Sequence, residues 1–306
     1  LILGAESLML DAVQSLMQPL AAMPAPGPLA ERQRQALISL LADEDPAVYQ
    51  AVRQTLLSYG QLAAQWLRPY ALSDDPVLRR RVQALLDYFD RQTADQRFLA
   101  FCQRTGEDLD LEEATGLLAR TRYPSVNIEA YQALYEAWAA ELRQRINPSA
   151  EPEVILGTIN RYLFGELGFR GHPEHAWNPD AAYLNRVVDS RAGSPVSLSA
   201  IYLFLTRRLR LPVVGIGLPG HFVCRYQSPT KEIYIDPFQH GRFLTKQDCI
   251  RYLAQHYHGV YEGYLTAVSR RRILLRMCAN LHQIYTHLEQ ADQAAQMHRY
   301  VLALTR

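Results

Sequence analysis

The chain is short of cysteine, of excess charge and of long apolar runs. Its four cysteines, Cys102, Cys224, Cys249 and Cys278, are scattered over 306 residues with no CxxC spacing. Neither a dense disulfide framework nor a CxxC redox or metal motif is available, and the four read as small buried hydrophobes in a reducing compartment. Lysine and arginine number 32 against 31 aspartate and glutamate. A net charge of +1 gives no electrostatic reason to expect nucleic acid, an anionic membrane or an acidic partner, because phosphate-backbone binding needs clustered positive charge. The basic run Arg270-Arg271-Arg272 is expected to cover a solvated helix face.

No apolar run approaches the ~20 residues of a membrane span. The first residues, "LILGAESLMLDAVQSLM", lack a basic leader and are interrupted by Glu6 and Asp11, so an amphipathic helix is expected there and not a signal peptide. The chain begins without methionine, so its N-terminus is expected to be processed or trimmed. Together these absences predict a cytoplasmic location. What is present is ordinary globular material: 48% hydrophobic and 21% charged residues, which argues against general disorder and supplies a sizeable core.

Residues 5 to about 146 show no convincing strand, and their apolar residues recur at helical spacing. In "RQALISLLADEDPAVYQAVRQTLLSYG" one helix is predicted to end near Leu41, Asp43 to Pro46 to turn the chain, and a second helix to start at Pro46 and end at Gly60. This pair resembles a HEAT-type repeat, and an irregular helical bundle satisfies the same pattern. "RYPSVNIEAYQALYEAWAAELRQRI" breaks at Pro124 and offers Asn127 as a cap. Ile128, Tyr131, Leu134, Tyr135 and Trp138 follow as an apolar stripe expected to face the core. "NPSAEPE" has the composition of a domain boundary.

From residue 151 the texture changes. A helix at roughly 152–166 leads to the polar loop "GFRGHPEHAWNPD" and a short helix near 181–190. In "SPVSLSAIYLFLTRRLRLP", Ser194 is a suitable N-cap and Pro195 a suitable first helical residue. Val196 to Leu205 is apolar nearly all round, which predicts a helix buried inside its domain. "VVGIGL", "FVCRY" and "EIYID" are short, separated by turn residues and rich in β-branched and aromatic side chains, so a small antiparallel sheet is expected on that helix. "TKQDCIRYLAQ" is a helix with Thr245 as cap and Asp248 three residues on, close to a capping box. After about 265, two antiparallel helices broken at "LEQAD" resemble a single tetratricopeptide-like hairpin that must dock on a neighbour.

A buried helix start followed by strands carrying His221 and then Asp236 has the layout of papain-like and transglutaminase-like cysteine enzymes. There the helix N-terminus lowers a thiol's pKa, an imidazole takes its proton, and a carboxylate orients the ring. "RYLFGELGFRG", "YLNRVVDSRAGSPVSLSAIYLFLTRRLRLP", "GIGLPGHFVCRY" and "YIDPFQHGRFL" resemble the SirB-type branch of the transglutaminase-like superfamily, and "RTRYPSVNIEAY" and the C-terminal hairpin are similar too. That resemblance implies a papain-like core and carries a histidine–aspartate pair onto His221 and Asp236. The departure is at the nucleophile, since active members of the wider superfamily have cysteine at the helix start. Gapless counting puts Pro195 at that place and a two-residue offset puts Ser197 there.

Cys224, three residues from His221 on a strand, is expected on the opposite face, and Cys249 lacks the helix-start setting. Both are expected to be structural. Within "HPEH", His172, Glu174 and His175 have ligand chemistry, but they bracket a proline in a loop without the spacing of HExxH, and solvated loop histidines are expected. Tyr234, Asn185 and Arg191 are further polar or amphipathic residues placed near the cleft.

The sequence therefore predicts a mostly helical α+β protein in three parts. Residues 1–148 form a helical, HEAT-like region, 149–265 a transglutaminase-like domain with a central buried helix on a small antiparallel sheet, and 266–306 a tetratricopeptide-like hairpin. The function read from it is a catalytically degenerate transglutaminase-like module that binds a protein or peptide, with neither cofactor nor metal. The alternative is a serine-dependent hydrolase or acyltransferase on amide or ester bonds, with Ser197 as nucleophile, His221 as base and Asp236 as its orienter, and Ser199 a less favoured nucleophile deeper in the helix.

Overall fold

The computed structural model describes residues 27, 29–104, 106–107, 109–256 and 262–306. The helix expected in the first seventeen residues lies outside them. Two compact units divide the chain, one up to Asp90 and one from Arg91. No helix among the described residues is long and apolar enough to cross a membrane. The fold is mostly helical α+β, as the sequence predicts.

In the first unit, α1 (Glu31–Ser39) runs into a 3-10 turn at Leu40–Ala42, and α2 (Pro46–Ser58) follows. The break between them is built locally: Asp45 caps α2 by accepting from Ala47 N–H at 2.8 Å, and Pro46 occupies the first helical position, where its missing N–H is not needed. Tyr59 and Gly60 turn the chain into α3 (Gln61–Leu67). The core of this unit is aliphatic with one ring, including Leu41, Leu56, Leu67, Val82 and Phe89.

The unit boundary falls inside α4 (Pro76–Cys102). Beyond it come α5 (Leu111–Arg122), α6 (Ile128–Arg145) and α7 (Pro152–Asn160), which continues as a wider π turn over Arg161–Glu166. Asn127 caps α6 by accepting from Ala130 N–H. Of the stripe expected on α6, Tyr135 and Trp138 are buried, whereas Leu134 is exposed. It lies one step round the helix, beyond the narrow face that α9 covers.

Two-residue strands β1 (Arg170–Gly171) and β2 (Ala192–Gly193) pair in parallel on either side of α8 (Leu184–Ser190). Then comes α9 (Pro195–Arg208), in which every residue from Pro195 to Tyr202 is buried. Around it pack α6, α8, the sheet and α11. That sheet is antiparallel and sequential, β3 (Val213–Leu218), β4 (His221–Gln227), β5 (Glu232–Asp236) and β6 (Arg242–Leu244). After α10 (Lys246–His256), whose start is capped reciprocally by Thr245 and Asp248, the chain ends in the antiparallel pair α11 (Arg270–His287) and α12 (Ala291–Leu304). One continuous apolar core runs from Phe98 of α4 through α9 and the sheet to Leu304.

In the basic run at the start of α11, Arg270 and Arg272 are exposed as expected, and Arg271 departs from the expectation. Arg271 is buried, and its guanidinium donates to the carbonyls of Cys102, Arg104, Ala303 and Leu304. These carbonyls end α4 and α12, so one cation satisfies two helix C-termini whose acceptors are out of water. Replacing Arg271 with leucine leaves those acceptors orphaned. We expect a loss of about 3 kcal/mol in urea-unfolding free energy; a loss below about 0.5 kcal/mol would show that water reaches these helix ends.

Candidate functional site

The site begins with a two-residue hairpin. Pro219 and Gly220 join β3 to β4, with Gly220 at φ 68°, a left-handed conformation that favours glycine. The turn pairs Leu218 with His221 and so places the histidine first on its strand. Asp236 stands last on β5 and is almost fully buried. Its Oδ1 accepts from Phe238 N–H at 3.0 Å and Gln239 N–H at 3.2 Å, capping the short turn Pro237–Gln239. Its Oδ2 is thereby turned to His221 Nε2, 2.7 Å away. The Nε2–H donates to the carboxylate, and the other ring nitrogen is Nδ1. Among the described residues no hydrogen bond is made to that nitrogen. The ring is held from the sides by Phe238 and Tyr252, each with its centroid 5.9 Å away.

His221 opens on a cleft of about 410 Å³. One wall is the start of α9, namely Ser194, Pro195 and Val196; another is α11, with Arg276, Asn280 and Gln283; His175 and Trp177 come from the loop before α8. A second space of about 380 Å³ also touches His221, alongside Asp236, Phe238 and Arg242. The α11 wall was not foreseen, since nothing local in "RMCANLHQ" marks it as facing a histidine more than fifty residues away.

Ser197 is fully buried, and its hydroxyl is engaged by the helix start. It donates to Ala181 C=O at 2.7 Å and accepts from Ser194 N–H at 2.9 Å and from the Ser194 hydroxyl at 2.8 Å. In turn Ser194 Oγ accepts from Ser197 N–H at 3.3 Å, which completes a capping box. No hydrogen bond joins Ser197 to His221 among the described residues. Gly193 makes this packing possible, because a Cβ there would stand 2.7 Å from Val187 Cγ1 and 3.0 Å from Ser197 Oγ. Ser199, also fully buried, has its Oγ 3.5 Å from Phe222 C=O. The structure thus brings His221 and Asp236 together, and the cleft wall where the helix begins presents Pro195 beside Ser194, whose hydroxyl is bonded to Ser197 within the cap, and, among the described residues, no thiol.

The remaining sequence candidates lie elsewhere. Tyr234 is buried under the sheet, its hydroxyl donating to Glu232, and it borders neither space beside His221. Asn185 is buried beside α5 and α6, and Arg191 lies between the rings of Trp138 and Phe169, 4.9 and 4.8 Å from their centroids. His172 and His175 are half-buried and not merely solvated. His172 Nδ1 accepts from Glu174 N–H, and the His175 ring meets Phe238 edge to face. Among the described residues no group of three or more His, Cys, Asp or Glu side chains is placed to hold a metal ion.

All four cysteines are buried and free. Burial, with Asp248 and Asp236 nearby, pushes the Cys249 thiol up to about 12, and burial does the same to Cys102 despite Arg271. Burial also raises Cys224, which packs against Ser199 C=O. No thiol stands at a helix start facing His221, and none is poised as a thiolate.

Two outcomes follow from this geometry. Ser197→Ala removes one donor and one acceptor from a dry helix start and should lower unfolding free energy by about 2 kcal/mol; an unchanged urea midpoint would mean the hydroxyl is not held as described. Iodoacetamide at pH 7.5 should leave the folded protein unlabelled over an hour while modifying four thiols per chain in denaturant, as counted by intact mass. Rapid single labelling of the native chain would reveal a reactive thiol and overturn the structural assignment of the cysteines.

Residues 129–279 match the family model described as Transglutaminase-like superfamily. A UPF0162 protein of Xylella fastidiosa is 31% identical over 204 residues, covering 65% of this chain and 73% of that protein. Another UPF0162 protein, from Pseudomonas aeruginosa, is 30% identical over 167 residues, 53% of this chain and 58% of its own. Mouse F-box only protein 21 is 32% identical over 158 residues, which are 49% of this chain but only 25% of that protein. No solved structure matches. With a transglutaminase-like domain built on α9 and the His221–Asp236 pair, the chain belongs to the UPF0162 protein family.

Proposed function

We propose that this chain is a catalytically degenerate transglutaminase-like protein of the SirB-type branch, which binds another protein or peptide through the cleft beside His221. The observation that carries the reading is the pairing of an intact His221–Asp236 hydrogen bond with a proline, Pro195, at the helix start that faces it. A pyrrolidine ring has no proton to give a base and no nucleophilic atom. The hydroxyl two residues on is held by three bonds within the capping box and to Ala181, so catalysis by Ser197 would require breaking the helix start. A cleft that keeps its shape without a nucleophile remains suited to binding, and its walls fit a polypeptide: amides on Asn280 and Gln283 to meet backbone groups, and an apolar edge from the half-exposed Trp177 ring, which is itself stacked on His287. The helical flanks, HEAT-like before the domain and tetratricopeptide-like after it, favour protein contacts by analogy with such surfaces. Occurrence of the same region as a quarter of a longer relative, F-box only protein 21, agrees with use as one module among others.

The test joins a turnover assay to a binding selection. Purified protein is assayed on p-nitrophenyl esters and on a mixed peptide-amide substrate pool, and a peptide display library is selected against it. The expected result is no turnover above a His221→Ala control, together with selected peptides whose affinity falls at least tenfold in Ala279→Trp, which fills the cleft. Turnover that disappears in both Ser197→Ala and His221→Ala would sink the degenerate reading and establish the serine enzyme. Selected peptides indifferent to Ala279→Trp would move the binding surface away from the cleft.

A further inference from the structure

A cavity larger than the one beside His221 lies elsewhere in the second unit. It has a volume of about 790 Å³ and lies at the other end of α9, roughly 20 Å along the helix from Pro195. None of its lining residues borders the His221 cleft. Leu111, Phe204 and Ile273 form a buried floor, and Leu203, Val214 and Val268 are half-buried walls. Volume and lining fall in the range of small-molecule sites, ~300–1,000 Å³ and predominantly apolar.

The rim is polar. Among the described residues it carries the guanidiniums of Arg207, Arg210 and Arg270 and the carboxylate of Glu107. The Glu107 carboxylate already accepts from the Ser269 hydroxyl, and Arg207 is paired with Asp110 and Glu112. Arg210 is different. It is exposed, it makes no side-chain hydrogen bond or ion pair among the described residues, and it sits at φ 57° in the turn that ends α9, where Leu211 N–H returns to Thr206 C=O. The turn itself therefore sets this arginine at the cavity mouth, and no carboxylate among the described residues pairs with it.

The geometry points to a binding site for a single-chain amphipathic carboxylate of fatty-acid type, with its tail against Leu203, Phe204 and Ile273 and its head at Arg210. An apolar floor alone would take any hydrocarbon, and the Arg210 guanidinium at the mouth selects an anionic head over a neutral or cationic one. This inference is independent of the function proposed for the His221 cleft.

Isothermal titration of the full chain with decanoate, octanoate, 1-decanol and decyltrimethylammonium tests it, all below their micellar concentrations. One decanoate should bind per chain. Loss of two methylenes in octanoate should weaken binding about fifteenfold, at about fourfold per buried methylene. Arg210→Gln should weaken decanoate about fivefold and leave 1-decanol unchanged, and decyltrimethylammonium should bind at least tenfold more weakly than decanoate. Leu203→Trp should abolish binding; if that variant does not fold by circular dichroism, Val268→Trp on the opposite wall serves the same purpose. The proposal is overturned if decanoate does not bind, if it binds a folded cavity-filled variant as well as the wild type, or if Arg210→Gln leaves its affinity unaltered. A hexapeptide with an apolar C-terminal residue that competes with decanoate and binds more tightly would overturn the ligand class in favour of a peptide terminus.

Discussion

A helix that starts out of water must satisfy its own first donors, and this single constraint organises the second unit of the protein. The first turn of α9 is dry from Ser194 onward. In a solvated helix the leading N–H groups would be met by water. Here the partners are supplied by Ser194 and Ser197 bonding each other and by Ala181 C=O, which accepts from both the Ser197 hydroxyl and the Ser194 N–H. The short turn carrying Ala181 is thereby pinned to α9, and Gly193 has to remain without a side chain so that Val187 and Ser197 can close over it. Fixing Ala181 also fixes the polar loop before it, whose His175 and Trp177 form one side of the cleft.

The same constraint shapes the chemistry available to the site. A hydroxyl committed to a cap is a poor nucleophile for geometric reasons before any question of its acidity arises, because attack demands a lone pair aimed at substrate and a proton aimed at the base. His221 is differently placed. It stands at the first position of its strand, after a turn, with the polar end of its ring directed to Asp236 by a carboxylate that is itself anchored by two backbone N–H groups. Such anchoring serves a general base and a structural hydrogen bond equally well. What separates the two roles is the group across the cleft, where Pro195 stands beside the capped Ser194.

Much of this was legible in the sequence because it is written in local chemistry. Asp45 with Pro46, Asn127, Ser194 with Pro195 and Thr245 with Asp248 are start signals whose partners lie within three residues. Pro219-Gly220 marks the hairpin in the same way. The all-apolar run from Val196 to Leu205 likewise announces a buried helix by composition alone. Features that escaped depend on distant parts of the chain. Arg271 reads as one of three solvated arginines until the ends of α4 and α12 arrive around it. Leu134 fits the apolar stripe by spacing yet falls outside the face that is covered. The α11 side of the cleft, with Asn280 and Gln283, has no local signature, since these residues become a wall only when the C-terminal pair packs on the core. Ser197 reads as a nucleophile candidate from its place at the helix start, and its bonds to Ser194 and Ala181 emerge only when the turn carrying Ala181 packs against that start.

The far end of α9 is held by a different interaction, and the two together explain why cavities sit at both ends of one helix. Glu112 of α5 is 6% exposed and accepts from Arg208 at 2.7 and 2.8 Å and from Arg207 at 2.9 Å. A buried carboxylate between two guanidiniums is weak ground for claiming stability, because desolvation offsets most of the attraction. Its geometric effect is stronger, since paired charge-assisted bonds tolerate little displacement. With the serine cap tied to Ala181 at one end and Glu112 gripping Arg208 at the other, α9 can neither slide along its axis nor rotate without leaving a buried polar group unpaired. The elements packed on it cannot collapse into the spaces at its ends. Those spaces are accordingly preformed, which lowers the ordering entropy that a ligand at either one must overcome.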